Sequence, residues 1–230
     1  MIFGGIQRSS TIDFPGLLSC VLFTKGCDFD CFYCHNRGLI KPDGEAISEK
    51  DVLDFLKRRQ GLLEGVVISG GEPTVQSGLP EFLRRLRMME YRLKLDTNGQ
   101  RPSMIKGLTE ACLLDYAAVD IKALPHDYKE VCGIENGFDK VLASIDVLEE
   151  SGVEYEVRTT LYPGMTFEML QALMGRVPYK PRWRLNYFKM PVSYKPEDEK
   201  RLSCSVALTK KDIECNMDLL RKLQPRIISA

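Results

Sequence analysis

Hydrophobic and polar positions follow two alternating patterns along most of the chain. Short, nearly continuous apolar runs, such as Leu-Leu-Ser-Cys-Val-Leu-Phe-Thr at 17–24, are typical of parallel strands covered on both faces. Stretches with apolar residues at helical spacing separate the runs. The runs predict six strands, at 17–24, 65–69, 91–96, 116–122, 154–161 and 182–188. The helical pattern predicts a helix capped by Ser48 and further helices at 78–89, 103–112, 140–151, 166–175 and 210–223.

Strand and helix patterns that alternate in this way predict parallel strands joined by right-handed crossovers. A closed barrel usually takes eight such pairs and about 250 residues. The 230 residues of this chain carry six pairs, which favours an α/β partial (β/α)6 barrel; periodicity alone leaves a doubly wound sheet as the alternative. We expect a single domain over 1–230, with its core at about 17–190 and a one-helix tail at about 191–230.

The net charge, the N-terminal residues and the length of the apolar runs limit the classes of partner that the sequence predicts. Lys plus Arg and Asp plus Glu both number 32, so the formal net charge is zero and no overall field favours nucleic acid or a membrane surface. The N-terminus lacks a basic region followed by a long apolar core, and no apolar run approaches 18 residues. The sequence therefore predicts a cytoplasmic protein with neither nucleic acid nor membrane as partner.

Three of the eight cysteines form a motif just after the first predicted strand. Cys27, Cys31 and Cys34 have the spacing C-x3-C-x2-C, whereas structural zinc and iron-sulfur sites normally take four protein ligands. No second cysteine or histidine pair follows, and the adjacent His35 is poorly placed to complete the set. Three thiolates would therefore leave one metal position open. The other cysteines are scattered and are expected to be buried or free thiols: Cys20, Cys112, Cys132, Cys204 and Cys215.

Polar residues also follow the later strands, where α/β folds place their chemistry. Gly70-Gly71-Glu72-Pro73 follows the second strand, and its two glycines permit positive φ and close backbone approach to a ligand. Asp96 ends the third strand. Asp120 and Lys122 lie two residues apart at the end of the fourth, so their side chains point to the same face.

Taken together, C-x3-C-x2-C and Gly-Gly-Glu-Pro resemble the signature of the radical S-adenosylmethionine (SAM) superfamily, whose fold is a six-stranded partial barrel. The resemblance implies that Cys27, Cys31 and Cys34 bind a 4Fe-4S cluster whose fourth iron chelates SAM. It implies that the loop containing Glu72 binds the SAM amino group, and that Tyr33 lies near the adenine.

The segments Asp96-Thr97-Asn98-Gly99 and Asp120-Ile121-Lys122 resemble enzymes that activate glycyl-radical proteins. The resemblance implies that Lys122 pairs with the SAM carboxylate. It also implies that Asp96 and Asp120 orient the SAM amino group or bind a monovalent cation beside SAM. Arg158 and Thr160 lie on one face of the fifth strand and are expected to contact the ribose or the carboxylate, with a structural ion pair as the alternative for Arg158. Many such activases carry a histidine near the end of the sixth strand; here Asn186 is the candidate replacement.

The segments Ile12-Asp13-Phe14-Pro15-Gly16 and Cys34-His35-Asn36 narrow the resemblance to the activating protein of anaerobic ribonucleoside-triphosphate reductase. This implies an anaerobic enzyme that cleaves SAM, generates a glycyl radical on a partner enzyme, and takes electrons from a flavodoxin or ferredoxin-type donor. Three alternatives remain: a pyruvate formate-lyase-type activase, a radical SAM enzyme acting on a small molecule such as a 7-carboxy-7-deazaguanine synthase, and an iron-sulfur electron carrier.

Overall fold

The computed structural model describes residues 1–179 and 181–229, in which one sheet carries eight strands in the order β1 to β8. The strands are β1 Phe3–Ser10, β2 Ser19–Thr24, β3 Gly65–Gly70, β4 Arg92–Thr97, β5 Tyr116–Asp120, β6 Glu154–Leu161, β7 Arg182–Tyr187 and β8 Ile227–Ser229. Strand β1 is antiparallel to β2, and every later pair is parallel. The two edge strands do not pair with each other, so the barrel is open, as predicted.

Helices follow most of the parallel strands. They are α1 Glu49–Lys57, α2 Leu79–Met88, α3 Pro102–Glu110, α4 Tyr128–Cys132, α5 Gly137–Ser151, α6 Phe167–Gly175, α7 Glu199–Cys204, α8 Lys210–Cys215 and α9 Met217–Leu223. Helix α1 begins as its sequence predicts, because Ser48 Oγ accepts a hydrogen bond from the Asp51 amide at 3.1 Å. Its buried residues Val52 and Leu56 pack into the large apolar core of the protein. None of the described helices is long and apolar enough to cross a bilayer.

The six predicted strands are present as β2 to β7, but both ends of the chain differ from prediction. The tail that was expected to carry one helix carries three among its described residues, α7, α8 and α9, because the short helix α7 spans only six residues and gives no helical pattern. Strand β1 was not predicted because only its terminal residues, Phe3 and Ser10, are buried, which leaves no clear alternation. The three-residue strand β8 is too short to give a pattern. The helix predicted at 210–223 is two helices that meet at Asn216. Position 230 and the side chain of Cys204 lie outside the described residues.

A second, smaller apolar cluster closes the barrel interior at the N-terminal ends of the strands. Phe14, from the Ile-Asp-Phe-Pro-Gly segment, packs there with Val21, Val67 and Tyr116, and the Phe14 and Tyr116 ring centroids are 6.1 Å apart. The Ile-Asp-Phe-Pro-Gly segment, on which the narrower family resemblance rests, therefore forms the closed end of the barrel, its floor. The opposite end of the interior remains open to a cavity.

Candidate active site

A cavity of about 670 Å³ lies at the C-terminal ends of the parallel strands. All of the site residues predicted from the sequence line it: Cys27, Cys31, Tyr33, Cys34, Gly70, Gly71, Glu72, Asp96, Asp120, Lys122 and Arg158. The two further candidates, Thr160 and Asn186, line it as well. The fold therefore brings together residues from five strands that are far apart in the sequence.

The cysteine loop follows β2 and is held by backbone hydrogen bonds at both ends. The Gly26 amide donates to Leu39 O at 2.8 Å, and Cys27 donates to Ile40 O at 3.0 Å. Gly26 has φ of +90°, a conformation that favours glycine. Further along, the Cys34 amide donates to Cys31 O at 3.1 Å, which curls the loop so that its thiols face the same cavity.

Two of the three thiols accept hydrogen bonds from backbone amides. The Phe29 amide donates to Cys27 Sγ at 3.4 Å, and Asn36 donates to Cys34. Burial raises the pKa of Cys27 to about 12 and also raises the pKa of Cys34, whereas a bound metal would act in the opposite direction and favour the thiolate. Amide hydrogen bonds to sulfur are a feature of iron-sulfur ligands.

The three thiols do not converge on a single point. Within the described part of the chain, no three His, Cys, Asp or Glu side chains approach one another closely enough to bind one metal ion. Thiolates that each bind a different iron of a cluster do not need to converge. Three thiolates without a fourth protein ligand from the motif suit a cluster with one open iron better than a closed four-ligand zinc site.

A fourth thiol, Cys132, lies beside this loop and was not singled out from the sequence. The Asp30 amide donates to Cys132 O at 2.9 Å, and the Cys31 and Cys132 thiols share a hydrogen bond. That bond, together with burial, raises the pKa of Cys31 well above its usual value. No spacing rule connects Cys132 to the motif, because helix α4 brings it there. Among the remaining described cysteines, Cys20 is buried, whereas Cys112 and Cys215 are exposed.

The Gly-Gly-Glu loop packs directly against the cysteine loop. A Cβ atom on Gly71 would lie 2.3 Å from Gly26 O. Gly70 has φ of +114°, and a Cβ atom added there would lie at a similar distance from backbone atoms of Thr24. Only glycines permit this approach. The glycine pair therefore sets the distance between the two loops in addition to exposing backbone to the cavity.

Glu72 is only 1% exposed, and hydrogen bonds occupy both oxygens of its carboxylate. Oε1 accepts from Thr74 and Thr97, and Oε2 accepts from the Asn98 amide at 2.6 Å. Burial raises the pKa of Glu72 to about 7, although these donors act in the opposite direction. The carboxylate thus ties the loop after β3 to the loop after β4; its contact with a SAM amino group stays a prediction.

Charged residues of β4, β5 and β6 form one ion-pair network on the cavity wall. Arg158 Nη1 lies 3.0 Å from Asp96 Oδ2, and Arg158 Nε lies 2.9 Å from Asp120 Oδ1. Lys122 Nζ is 3.1 Å from Asp120 Oδ2, which bears out the predicted common face. Lys94, not singled out from the sequence, lies 3.1 Å from Asp96.

Tyr33, which directly precedes the third cysteine of the motif, is mostly buried by packing against other aromatic rings. Tyr33 is 6% exposed, and its ring stacks on Tyr162 with centroids 5.1 Å apart. Its hydroxyl is buried without a hydrogen-bond partner among the described residues. An edge of Tyr33 lines the cavity, so its contact with adenine stays a prediction. Both histidines of the chain are exposed. His35 lies at the cavity, and His126 lies beside Asp127.

Comparison with known proteins agrees with this arrangement. The family model for the radical SAM superfamily matches residues 21–177. A Methanocaldococcus jannaschii protein with the provisional name glycyl-radical enzyme activating enzyme is 35% identical over 70% of this chain and 69% of its own length. A Metallosphaera sedula protein provisionally named GTP 3',8-cyclase is 31% identical over 57% of this chain, which spans only 42% of that relative.

The fold has a counterpart among solved structures. Streptococcus suis SuiB bound to S-adenosylmethionine superposes with a TM-score of 0.65 at 16% identity, over 91% of this chain and 51% of SuiB. The chain thus spans about half the length of SuiB, and at this identity the likeness concerns the fold alone. With a family model that covers more than half of its length and a cavity lined by the matching motifs, this chain belongs to the radical SAM superfamily.

Proposed function

We propose that the protein is an activating enzyme that cleaves SAM reductively at a 4Fe-4S cluster and generates a glycyl radical on a partner enzyme. The observation that carries the proposal is the single cavity shared by the three thiols, the Gly-Gly-Glu loop and the charged network. The partner that the sequence favours is anaerobic ribonucleoside-triphosphate reductase, with a flavodoxin or ferredoxin-type protein as the electron donor.

The residues present fit the cluster that the family implies. Cys27, Cys31 and Cys34 would hold it, because their thiols line one wall and two of them accept amide hydrogen bonds. When bound, such a cluster supplies the electron that splits SAM into methionine and a 5'-deoxyadenosyl radical. The remaining work of the protein is to bind, orient and shield that cofactor.

The cavity wall supplies complementary groups for SAM. Lys122 and Arg158 present positive charge suited to the SAM carboxylate. The backbone of Gly70 and Gly71 can approach the amino group, since no side chain intervenes. Below them, Phe14 and its apolar neighbours exclude water from the interior.

A macromolecular substrate is supported by the open barrel and by the likeness to the M. jannaschii relative. Because β1 and β8 do not pair, the interior is accessible between the two edges of the sheet. A glycine loop of a partner enzyme could reach the cavity through such a gap. The likeness to the M. sedula protein gives the second candidate, a radical SAM enzyme with a small-molecule substrate such as a nucleotide.

The first experiment asks whether the protein cleaves SAM. The cluster is reconstituted anaerobically, reduced with dithionite and mixed with SAM, and 5'-deoxyadenosine is measured; we expect it to form. Cys31→Ala combined with Cys132→Ala should lose the visible absorbance of the cluster, because the two remaining thiolates of the motif cannot hold it and the neighbouring thiol cannot replace Cys31. The exposed Cys215→Ala variant, outside the cavity, should keep it. Absence of 5'-deoxyadenosine from the reconstituted wild type would refute the proposal.

The second experiment distinguishes the two substrate classes. The reduced, SAM-loaded protein is mixed either with a glycyl-radical enzyme encoded beside its gene or with GTP. An electron paramagnetic resonance doublet of a glycyl radical on the protein substrate supports the activase. A modified nucleotide without a glycyl radical would select the small-molecule enzyme instead.

A further inference from the structure

We propose that Arg158 is the built-in counter-ion of Asp96 and Asp120, so that SAM binding in this protein does not require a monovalent cation between those carboxylates. The two aspartates were expected to be able to hold such a cation. The surroundings of the two carboxylates do not suit a bound monovalent cation, because cationic side chains already contact the carboxylate oxygens. The inference rests on the proposed SAM site, and its first test does not depend on that site being loaded.

Each oxygen of the two carboxylates has a cationic neighbour within 3.1 Å. Arg158 bridges Asp96 Oδ2 and Asp120 Oδ1 through two different nitrogens. Lys94 pairs with Asp96 Oδ1, a contact that is an ion pair without hydrogen-bond geometry. Lys122 pairs with Asp120 Oδ2, and Ser69 Oγ donates to Asp96 Oδ2.

The charge count of the network opposes the binding of another cation. Two carboxylates face three cationic side chains, Lys94, Lys122 and Arg158, which leaves one net positive charge. These side chains are largely buried, at 3%, 17% and 17% exposure, so solvent screens their repulsion weakly. Although burial alone raises the pKa of Asp120, Arg158 and Lys122 lower it to about 2. A surplus positive charge suits an anionic group such as the SAM carboxylate.

The strand register explains why an arginine can bridge both aspartates. Asp120 on β5 is directly opposite Arg158 on β6, and Asp96 on β4 is opposite Ala118 on β5. The alternation along β5 places Ala118 on the same face as Asp120. Because the side chain between Asp96 and Arg158 is therefore only a methyl group, the long guanidinium side chain can reach across β5.

The first test measures cation binding by the cluster-free protein. Thermal unfolding is followed in KCl, NaCl and choline chloride at equal ionic strength, and Tl⁺ is used as a K⁺ probe in 205Tl NMR. For the wild type we expect the same melting temperature in all three salts and no bound Tl⁺ signal. A melting temperature raised specifically by K⁺, or a bound Tl⁺ signal lost in Asp120→Asn, would overturn the proposal.

The second test measures SAM binding to the reconstituted protein by equilibrium dialysis. The wild-type dissociation constant should agree within about twofold between KCl and choline chloride. In Arg158→Gln, affinity in choline chloride should fall about tenfold or more, and K⁺ should restore a large part of it. Arg184→Gln is the matched control, since Arg184 is opposite Arg158 in the register but pairs with Glu156; it should show no dependence on K⁺.

The outcomes separate this inference from the proposed function. If Arg158→Gln does not fold, the wild-type comparison and Arg158→Lys, which keeps the charge, decide the question. SAM binding that is at least fivefold tighter in KCl than in choline chloride would refute the inference even if the protein generates a glycyl radical. Conversely, a protein that cannot cleave SAM still reports in the cluster-free assay whether its aspartates bind a cation.

Discussion

The backbone amide of Asn98 donates a hydrogen bond to Glu72 Oε2 at 2.6 Å, and this contact joins the loops that follow two neighbouring strands. Asn98 Nδ2 in turn donates to Asp28 of the cysteine loop at 2.8 Å. Three loops of the cavity are thus linked through one residue. The carboxylate expected to bind a ligand also holds the wall of its site together.

Glu72→Gln tests this structural role. Glutamine keeps the volume but has only one acceptor oxygen, so its NH2 group would face donors from Thr74, Thr97 or Asn98. We expect the free energy of unfolding in urea to fall by about 1–3 kcal/mol. Glu214→Gln, an exposed residue in a 3.8 Å ion pair with Lys210, should change it by less than about 0.5 kcal/mol. Equal effects of the two variants would contradict the role given to Glu72.

Gly71→Ala should separate the two loops of the cavity. The added Cβ would lie 2.3 Å from Gly26 O, and since the obstacle is backbone, the loop must move. We expect a loss of about 2 kcal/mol or more in the free energy of unfolding, together with weaker SAM binding.

Gly107→Ala is the matched control, and we expect it to change the free energy of unfolding in the opposite direction. Gly107 lies within α3, where no atom would come within 4 Å of the new Cβ. Removing a helical glycine there should stabilise the protein by about 0.5–1 kcal/mol. If both alanine variants were stabilising, the close approach of Gly71 to Gly26 would be wrong.

The network around Asp120 should make stability depend on acid pH. Burial raises the pKa of Asp120, but Arg158 and Lys122 outweigh it and lower the pKa from 3.8 to about 2. A carboxyl whose pKa is lowered by folding contributes stability above its unfolded pKa and loses it as the pH falls through the folded value. The contribution is about 2 kcal/mol, lost between about pH 4 and pH 2.

Asp120→Asn removes this titration. Urea unfolding measured between pH 4 and pH 2.5 should show a shallower loss of stability in the variant than in the wild type. Asp218→Asn, at an exposed position in α9, should follow the wild-type slope. Identical slopes for all three proteins would show that the ion pairs of Asp120 do not stabilise the fold.

The C-terminal segment should stabilise the cysteine loop. The Arg201 guanidinium lies 3.7 Å from the centroid of the Phe32 ring and also pairs with Glu130 at 2.9 Å. Lys195 pairs with Asp30 of the same loop. Arg201→Gln should therefore increase amide hydrogen exchange in residues 29–34 about tenfold, because a cation over an aromatic face contributes about 1 kcal/mol or more.

Lys200→Gln, at an exposed position of the same helix, is the control and should leave the exchange unchanged. Exchange that rises equally in both variants would indicate a general loosening of α7. Exchange that rises in neither would indicate that the contact of Arg201 with Phe32 does not restrain the loop.

The sequence by itself determined the six parallel strands and the order of the polar motifs at their ends. It could do so because these features are local: a buried parallel strand needs a continuous apolar run, and the Cys27, Cys31 and Cys34 spacing is fixed by the covalent chain. The common face of Asp120 and Lys122 likewise follows from the two-residue period of extended chain.

Tertiary structure alone decided which of these groups contact one another. The bridge from Arg158 to Asp96 depends on the register of three strands, and Cys132 reaches Cys31 only because α4 packs on the cysteine loop. Phe14 became the floor of the barrel through contacts with β2, β3 and β5. Such contacts join residues distant in sequence, and no local pattern encodes them, because they arise only when the sheet curls and its side chains share one interior.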